Sequence, residues 1–85
     1  MYQIFVKDRC TSNGKTYKID ISNNITMMEF KEKIFEKIPI PIKHQKFIHG
    51  RKYLKNDKLL LEQINFNNYN WADIDLTFRW NTTNP

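Results

Sequence analysis

Glycine is nearly missing from this chain of 85 residues: only Gly14 and Gly50 occur. A glycine-rich loop able to cradle a phosphate therefore cannot be built. Cysteine is scarcer still. Cys10 stands alone, which rules out an internal disulfide and gives no sign of an oxidising compartment. No apolar run approaches the roughly 18 residues that span a bilayer, and the first residues lack the basic-then-apolar order of a secretory signal. The expectation is a soluble protein of the cytoplasm and/or nucleus, with no membrane partner. A chain this short buries only about 60 to 65% of its unfolded surface, too little to divide between two cores. The expected organisation is one domain over residues 1–80 and a loose polar tail over 81–85.

Catalytic and metal-binding constellations are also wanting. His44 and His49 are the only histidines, they fall on different elements, and a zinc site needs four convergent nitrogen or sulfur ligands. Cys10 lies in a polar loop without a histidine neighbour in sequence, so it reads as an exposed bystander thiol and not as a nucleophile. The expectation is no enzyme, no cofactor and no metal. Acidic residues are outnumbered, and the formal charge is +5, with Lys43, Lys46, Arg51, Lys52, Lys55 and Lys58 crowded into one third of the chain. Base-stacking and groove-reading motifs are absent, so nucleic acid is disfavoured against a solvated basic face or an acidic protein partner. A basic nucleic-acid-binding protein stays as the alternative from another class.

What is present is strongly patterned. Tyr2, Ile4 and Val6 alternate with polar residues, as do Tyr17, Ile19 and Ile21, and Asn13-Gly14 supplies turn residues between them; this predicts a hairpin with one apolar face. Thr26-Met27-Met28-Glu29 is a capping box that opens a helix. Met27, Phe30, Ile34 and Ile38 form its apolar stripe, Glu29, Glu32, Lys33 and Glu36 its wet side, and Pro39 ends it, giving a helix from about Thr26 to Ile38. A middle strand is expected within Lys43–Tyr53, with Phe47 and His49 opposite in phase to Ile48 and a tight turn at Gly50. Leu59–Phe66 reads as a short 3₁₀ segment with Leu61 and Phe66 buried. Ile74–Arg79 is the last strand, with Ile74, Leu76 and Phe78 inward.

The opening Met1, Gln3-Ile4-Phe5-Val6-Lys7, then Gly14-Lys15-Thr16, the helix Lys31-Glu32-Lys33-Ile34, Ile40-Pro41, Gln45, Ile48, Lys52 and Leu54 together resemble the ubiquitin family nearly end to end. Short insertions at Tyr2, in the Asp8–Asn13 loop, near Asn56-Asp57 and at Asn67–Asn70 absorb the extra length. The resemblance implies an α+β, ubiquitin-like β-grasp: a mixed four- to five-stranded sheet with one helix packed across it, the last strand parallel to the first. It also implies a non-catalytic, monomeric protein–protein interaction module whose partners are acidic proteins or ubiquitin-pathway components. The implied protein-binding surface comprises Ile48, Thr77, Asp75, Arg51, Lys52, Phe5 and Arg79. In the family this face carries an apolar patch of isoleucine, valine, histidine and a loop leucine; here Ile48 matches the isoleucine, Thr77 replaces the valine, Asp75 replaces the histidine, and Arg9-Cys10-Thr11 offers no leucine. A loss of about 80 Å² of apolar contact forfeits about 2 kcal/mol, which weakens a micromolar contact roughly thirtyfold.

Conjugated members of the family end in Gly-Gly, because an activating enzyme threads a side-chain-free tail through a narrow channel. Thr82 and Thr83 stand in that place and Pro85 follows, so conjugation in the usual way is not expected. A modifier attached through a processed or non-standard C-terminus, or through a longer natural chain, is the competing expectation. Lys15, Lys31, Lys33, Lys37 and Lys52 coincide with lysines on which the family builds chains, but surface solubility accounts for them as well.

Overall fold

The computed structural model describes residues 1–10 and 14–78, with the side chain of Phe78 left aside. The expectations for an inward Phe78, for Arg79 and for Trp80–Pro85 fall outside the described residues. Five strands form one mixed sheet: β1 (Tyr2–Asp8), β2 (Thr16–Ile21), β3 (Gln45–His49), β4 (Lys52–Tyr53) and β5 (Trp71–Phe78), in the order β2-β1-β5-β3-β4. β1 runs antiparallel to β2 and parallel to β5, and β3 is antiparallel to both β5 and β4. A single α-helix, α1 (Met27–Lys37), and two 3₁₀ turns, Ile42–His44 and Leu60–Gln63, complete the described chain. No helix among the described residues is long and apolar enough to cross a membrane.

The alternation in β1 and β2 buries Ile4, Val6, Ile19 and Ile21 on one face, and Ala72, Ile74 and Leu76 continue that face along β5. The capping box forms as the sequence predicts: the Glu29 amide donates to Thr26 Oγ1 at 3.1 Å and the Thr26 amide to Glu29 Oε1 at 2.9 Å. Two of the orphan donors of the first turn are thereby satisfied. The stripe Met27, Phe30, Ile34 and Ile38 is buried throughout, and the Phe30 ring meets Phe47 of β3 with centroids 5.0 Å apart at 57°. At the other end Ile38 is the C-cap, in an extended conformation (φ −129°, ψ 113°), as the residue before a proline must be.

Two expectations need correction, and one element was not anticipated. Leu61 is only half-buried, as is Phe66, while Leu60 and Ile64 take the core positions. The 3₁₀ turn starts at Leu60, and the Leu60 amide donates to the Ile25 carbonyl, which presses that residue and not its neighbour inward. Phe66 instead lies against Tyr2, ring centroids 4.8 Å apart. β5 begins at Trp71, three residues before the expected Ile74, because pairing with Gln3 and Ile4 continues there even though Trp71 and Asp73 face solvent. The segment before β3 is a 3₁₀ turn that the alternation did not reveal.

Three polar residues are buried, Asp8, Lys31 and Gln45, and two of them, Gln45 and Asp8, hold joints of the core. Gln45 is fully buried, and its side-chain amide donates to the carbonyls of Lys31 at 3.2 Å and Ile40 at 3.0 Å. It thus ties α1 and the Pro39–Pro41 exit, where prolines lack amides of their own, to the start of β3. Asp8 is buried at the end of β1 and accepts from the Cys10 amide at 2.8 Å.

Removing the cap hydroxyl in Thr26→Ala is expected to lower stability by about 1 kcal/mol, whereas Phe30→Ala, which empties the helix–sheet contact, is expected to lower it by about 3–5 kcal/mol. Urea denaturation followed by circular dichroism separates the two; equal effects would contradict the helix stripe as the main source of cohesion.

Candidate protein-binding surface

Strand register places the outward side chains in rows across the sheet. Lys7 of β1 lies beside Asp75 of β5, Asp75 beside Ile48 of β3, and Ile48 beside Tyr53 of β4. Thr77 lies beside Lys46 one step along. Ile48, Asp75 and Thr77 therefore share one face, opposite to the helix, as the strand phase predicts, and each is half-buried there. Phe5 shares that face too, paired with Lys18 on one side and Asp73 on the other.

Lys52 does not join them. It pairs with His49, so its side chain has the opposite phase to Ile48, and the exposed aromatic Tyr53 occupies the place beside the isoleucine. Arg51 is exposed in the turn between β3 and β4, where Gly50 (φ 57°) and Arg51 (φ 79°) are both left-handed. That geometry is the two-residue hairpin turn in which both central residues need positive φ, and a side chain at the second is strained. Arg79 is outside the described residues.

The charges on this face are partly spent on each other. Arg9, just past β1, brings Nε to 3.1 Å from Asp75 Oδ2, so a carboxylate stands beside Ile48 with its own cation. Both partners are substantially open to water, and the pair organises the rim more than it stabilises the fold. Sequence reading missed Arg9 because its partner lies a whole chain away, on the parallel strand.

It also missed an aromatic end of the same face. Trp71 stands edge-on to Phe5 (5.8 Å, 86°) and beside Tyr69 (5.6 Å), and Gln3, Phe5, Trp71 and Asp73 line an open cleft of about 400 Å³. Asn67 and Asn68, at φ 51° and 70°, turn the preceding loop so that Tyr69 reaches Trp71. Asparagine tolerates this left-handed geometry, which gives the Asn-rich insertion a structural reason.

His49 and Cys10 both make contacts within the fold. His49 is half-buried; its Nε2 accepts from the Asn65 amide at 3.2 Å, which leaves Nδ1 as the protonated nitrogen facing the Asp73 carbonyl at 2.9 Å. The ring pins β3 to β5 and to the loop before it. Cys10 is not the exposed thiol expected from its polar neighbours: it is half-buried, with Sγ 3.6 Å from the Leu76 carbonyl. Burial, followed by the nearby Asp8 carboxylate, pushes its pKa up from 9.0 to about 11. Among the described residues no cluster of three or more His, Cys, Asp or Glu could hold a metal ion.

A mixed sheet wrapped over a single helix, with its first and last strands parallel and adjacent, is the β-grasp architecture. The chain belongs to the ubiquitin family, whose model matches residues 4–69. No curated protein matches it.

Cys10 is expected to react with a disulfide reagent at pH 8 about a hundredfold more slowly than a thiol of pKa 9, with the rate rising about tenfold per pH unit. Because folding raises the thiol pKa, the neutral thiol favours the folded state; that contribution is complete below about pH 9 and is withdrawn as pH climbs through 11. Rapid labelling of the native protein at pH 8 would contradict this environment. Arg51→Gly is expected to raise stability by about 0.5–1 kcal/mol through relief of the left-handed strain, read as a higher urea midpoint.

Proposed function

We propose that the protein is a non-catalytic interaction module of the ubiquitin family whose outer sheet face engages a partner protein different from ordinary ubiquitin receptors. The row Lys7, Asp75, Ile48 and Tyr53 carries this reading. An isoleucine remains at the centre, but charged and aromatic side chains surround it where the family's receptors meet aliphatic ones. A receptor groove shaped for valine and leucine would have to desolvate Asp75, and its partner Arg9 with it, without offering either a replacement. Apolar surface has instead moved to the edges of the face, at Tyr53 on one side and at Phe5 and Trp71 on the other. Aromatic side chains of this kind are favoured anchors of protein interfaces.

The same reading treats the protein as one that is not conjugated in the usual way. Its glycines lie at Gly14 and Gly50, both at positive φ, and Thr82 and Thr83 hold the positions of the family's glycine pair. The basic character, +5 overall, suits an acidic protein partner.

In a titration of the ¹⁵N-labelled protein with a ubiquitin-binding helix, dissociation constants are expected to be about thirtyfold weaker than for ubiquitin. The double variant Asp75→His with Thr77→Val is expected to recover part of that difference, and unchanged weak binding in that variant would remove the sheet face as the cause. Incubation with activating enzyme, ATP and magnesium is expected to leave no thiol-sensitive band on a non-reducing gel. Such a band would establish the modifier reading in place of this one. A steep fall of DNA or RNA binding with salt would favour the nucleic-acid reading.

A further inference from the structure

Helical spacing puts Lys31 inside the apolar stripe, one turn after Met27 and just before Ile34, and only 7% of it remains exposed. It is thus not one of the surface lysines that its sequence position suggests. Its Nζ donates to Asn56 Oδ1 at 2.8 Å. That acceptor is a neutral amide, and among the described residues no carboxylate forms an ion pair with Lys31. The residue as a whole is nearly buried, and its ammonium has a neutral amide beside it where an opposite charge would serve better. Loss of solvent, and then the nearby charge of Lys46, lowers its pKa from 10.5.

The ammonium borders a cleft of about 680 Å³ between α1 and the turn that leads into β3. Met28, Pro41 and Ile42 give this cleft apolar walls, and Lys43 and Lys46 join Lys31 as cations, with no acidic residue in the lining. Met28 is more than half exposed there.

We propose that this cleft docks an acidic side chain, aspartate or glutamate, flanked by an aliphatic residue on a partner protein. The carboxylate provides the counter-charge that Asn56 cannot, pairing with Lys31 and Lys46, and the aliphatic neighbour covers Met28 and Ile42. Two charge-assisted hydrogen bonds to a carboxylate in a partly dry cleft are stronger than the same bonds in water. A nucleic-acid strand fits less well, since it requires cations along a track and aromatic faces for its bases, and the lining offers no aromatic ring. The site shares Lys46 with the outer sheet face but turns on Lys31 and Asn56, which that face does not include, so the Asn56→Asp variant separates its failure from failure of the function proposed above.

The test is a ¹H–¹⁵N titration of the full chain with acetyl-Leu-Glu-Glu-Leu-amide, with its Leu-Gln-Gln-Leu counterpart and with inorganic phosphate. The Glu peptide is expected to shift Met28, Lys31 and Lys46, and to bind at least about fivefold more tightly than the Gln peptide. Asn56→Asp is the decisive variant, because it keeps the fold while giving Lys31 an internal carboxylate. It is expected to raise the melting temperature and to weaken the Glu peptide about fivefold. Lys46→Ala, at an exposed position, is expected to weaken it as well. Equal binding of the two peptides, unchanged affinity in Asn56→Asp, phosphate binding as tight as the Glu peptide, or no shifts up to about 10 mM peptide would each overturn the proposal.

Discussion

The contact between Phe30 of the helix and Phe47 of β3 is the point on which the architecture closes. The two rings are fully buried and tilted against each other at 5.0 Å, so the helix can cross the sheet at only one height. Ile4, Val6, Ile74 and Leu76 fill the sheet side of that junction, and Ile34 and Ile38 extend it along the helix. Because the inward side chains of β1, β2, β3 and β5 are fixed by packing in this core, their outward ones are fixed too. The row that includes Ile48 and Asp75 is thus a consequence of core register, since a slip of one residue would exchange the two faces.

Most of this was legible in the sequence, for identifiable reasons. The alternation in Tyr2–Val6 and Tyr17–Ile21 has a period that only a half-buried strand produces, and the Thr26–Glu29 box marks a helix start by a specific pair of hydrogen bonds. Pro39 marks its end. The phase of Phe47 against Ile48 followed from the same reasoning. What escaped was whatever depends on long-range pairing. Leu60 and Leu61 are equivalent in a run of three leucines until Ile25 accepts a hydrogen bond from one of them. Lys52 and Tyr53 exchange faces once β3 and β4 find their register. Trp71 looks like a loop residue until Gln3 is seen beside it.

Buried polar groups were the other blind spot. Lys31 occupies a position that helical periodicity assigns to the core, and reading spacing before residue type would have found it. Gln45 gave no such signal, because its burial serves the carbonyls of Lys31 and Ile40 around a proline-interrupted exit. Its Oε1 is buried with no partner, so the side chain meets the needs of the backbone at some expense to its own. Both residues lie at the same joint between helix and β3, where the fold accepts polarity inside in return for a defined exit.

The central strand of the sheet is the last of the described strands in chain order. β5 lies between β1 and β3 and provides both with hydrogen-bonding partners. Without Trp71 and the residues after it, β1 paired with β2 and β3 paired with β4 share no strand, and each pair is left with an open inner edge. Open edges of this kind invite pairing with other chains. Premature termination or proteolytic trimming before β5 would therefore do more than shorten the protein: it would convert the middle of the sheet into two adhesive borders.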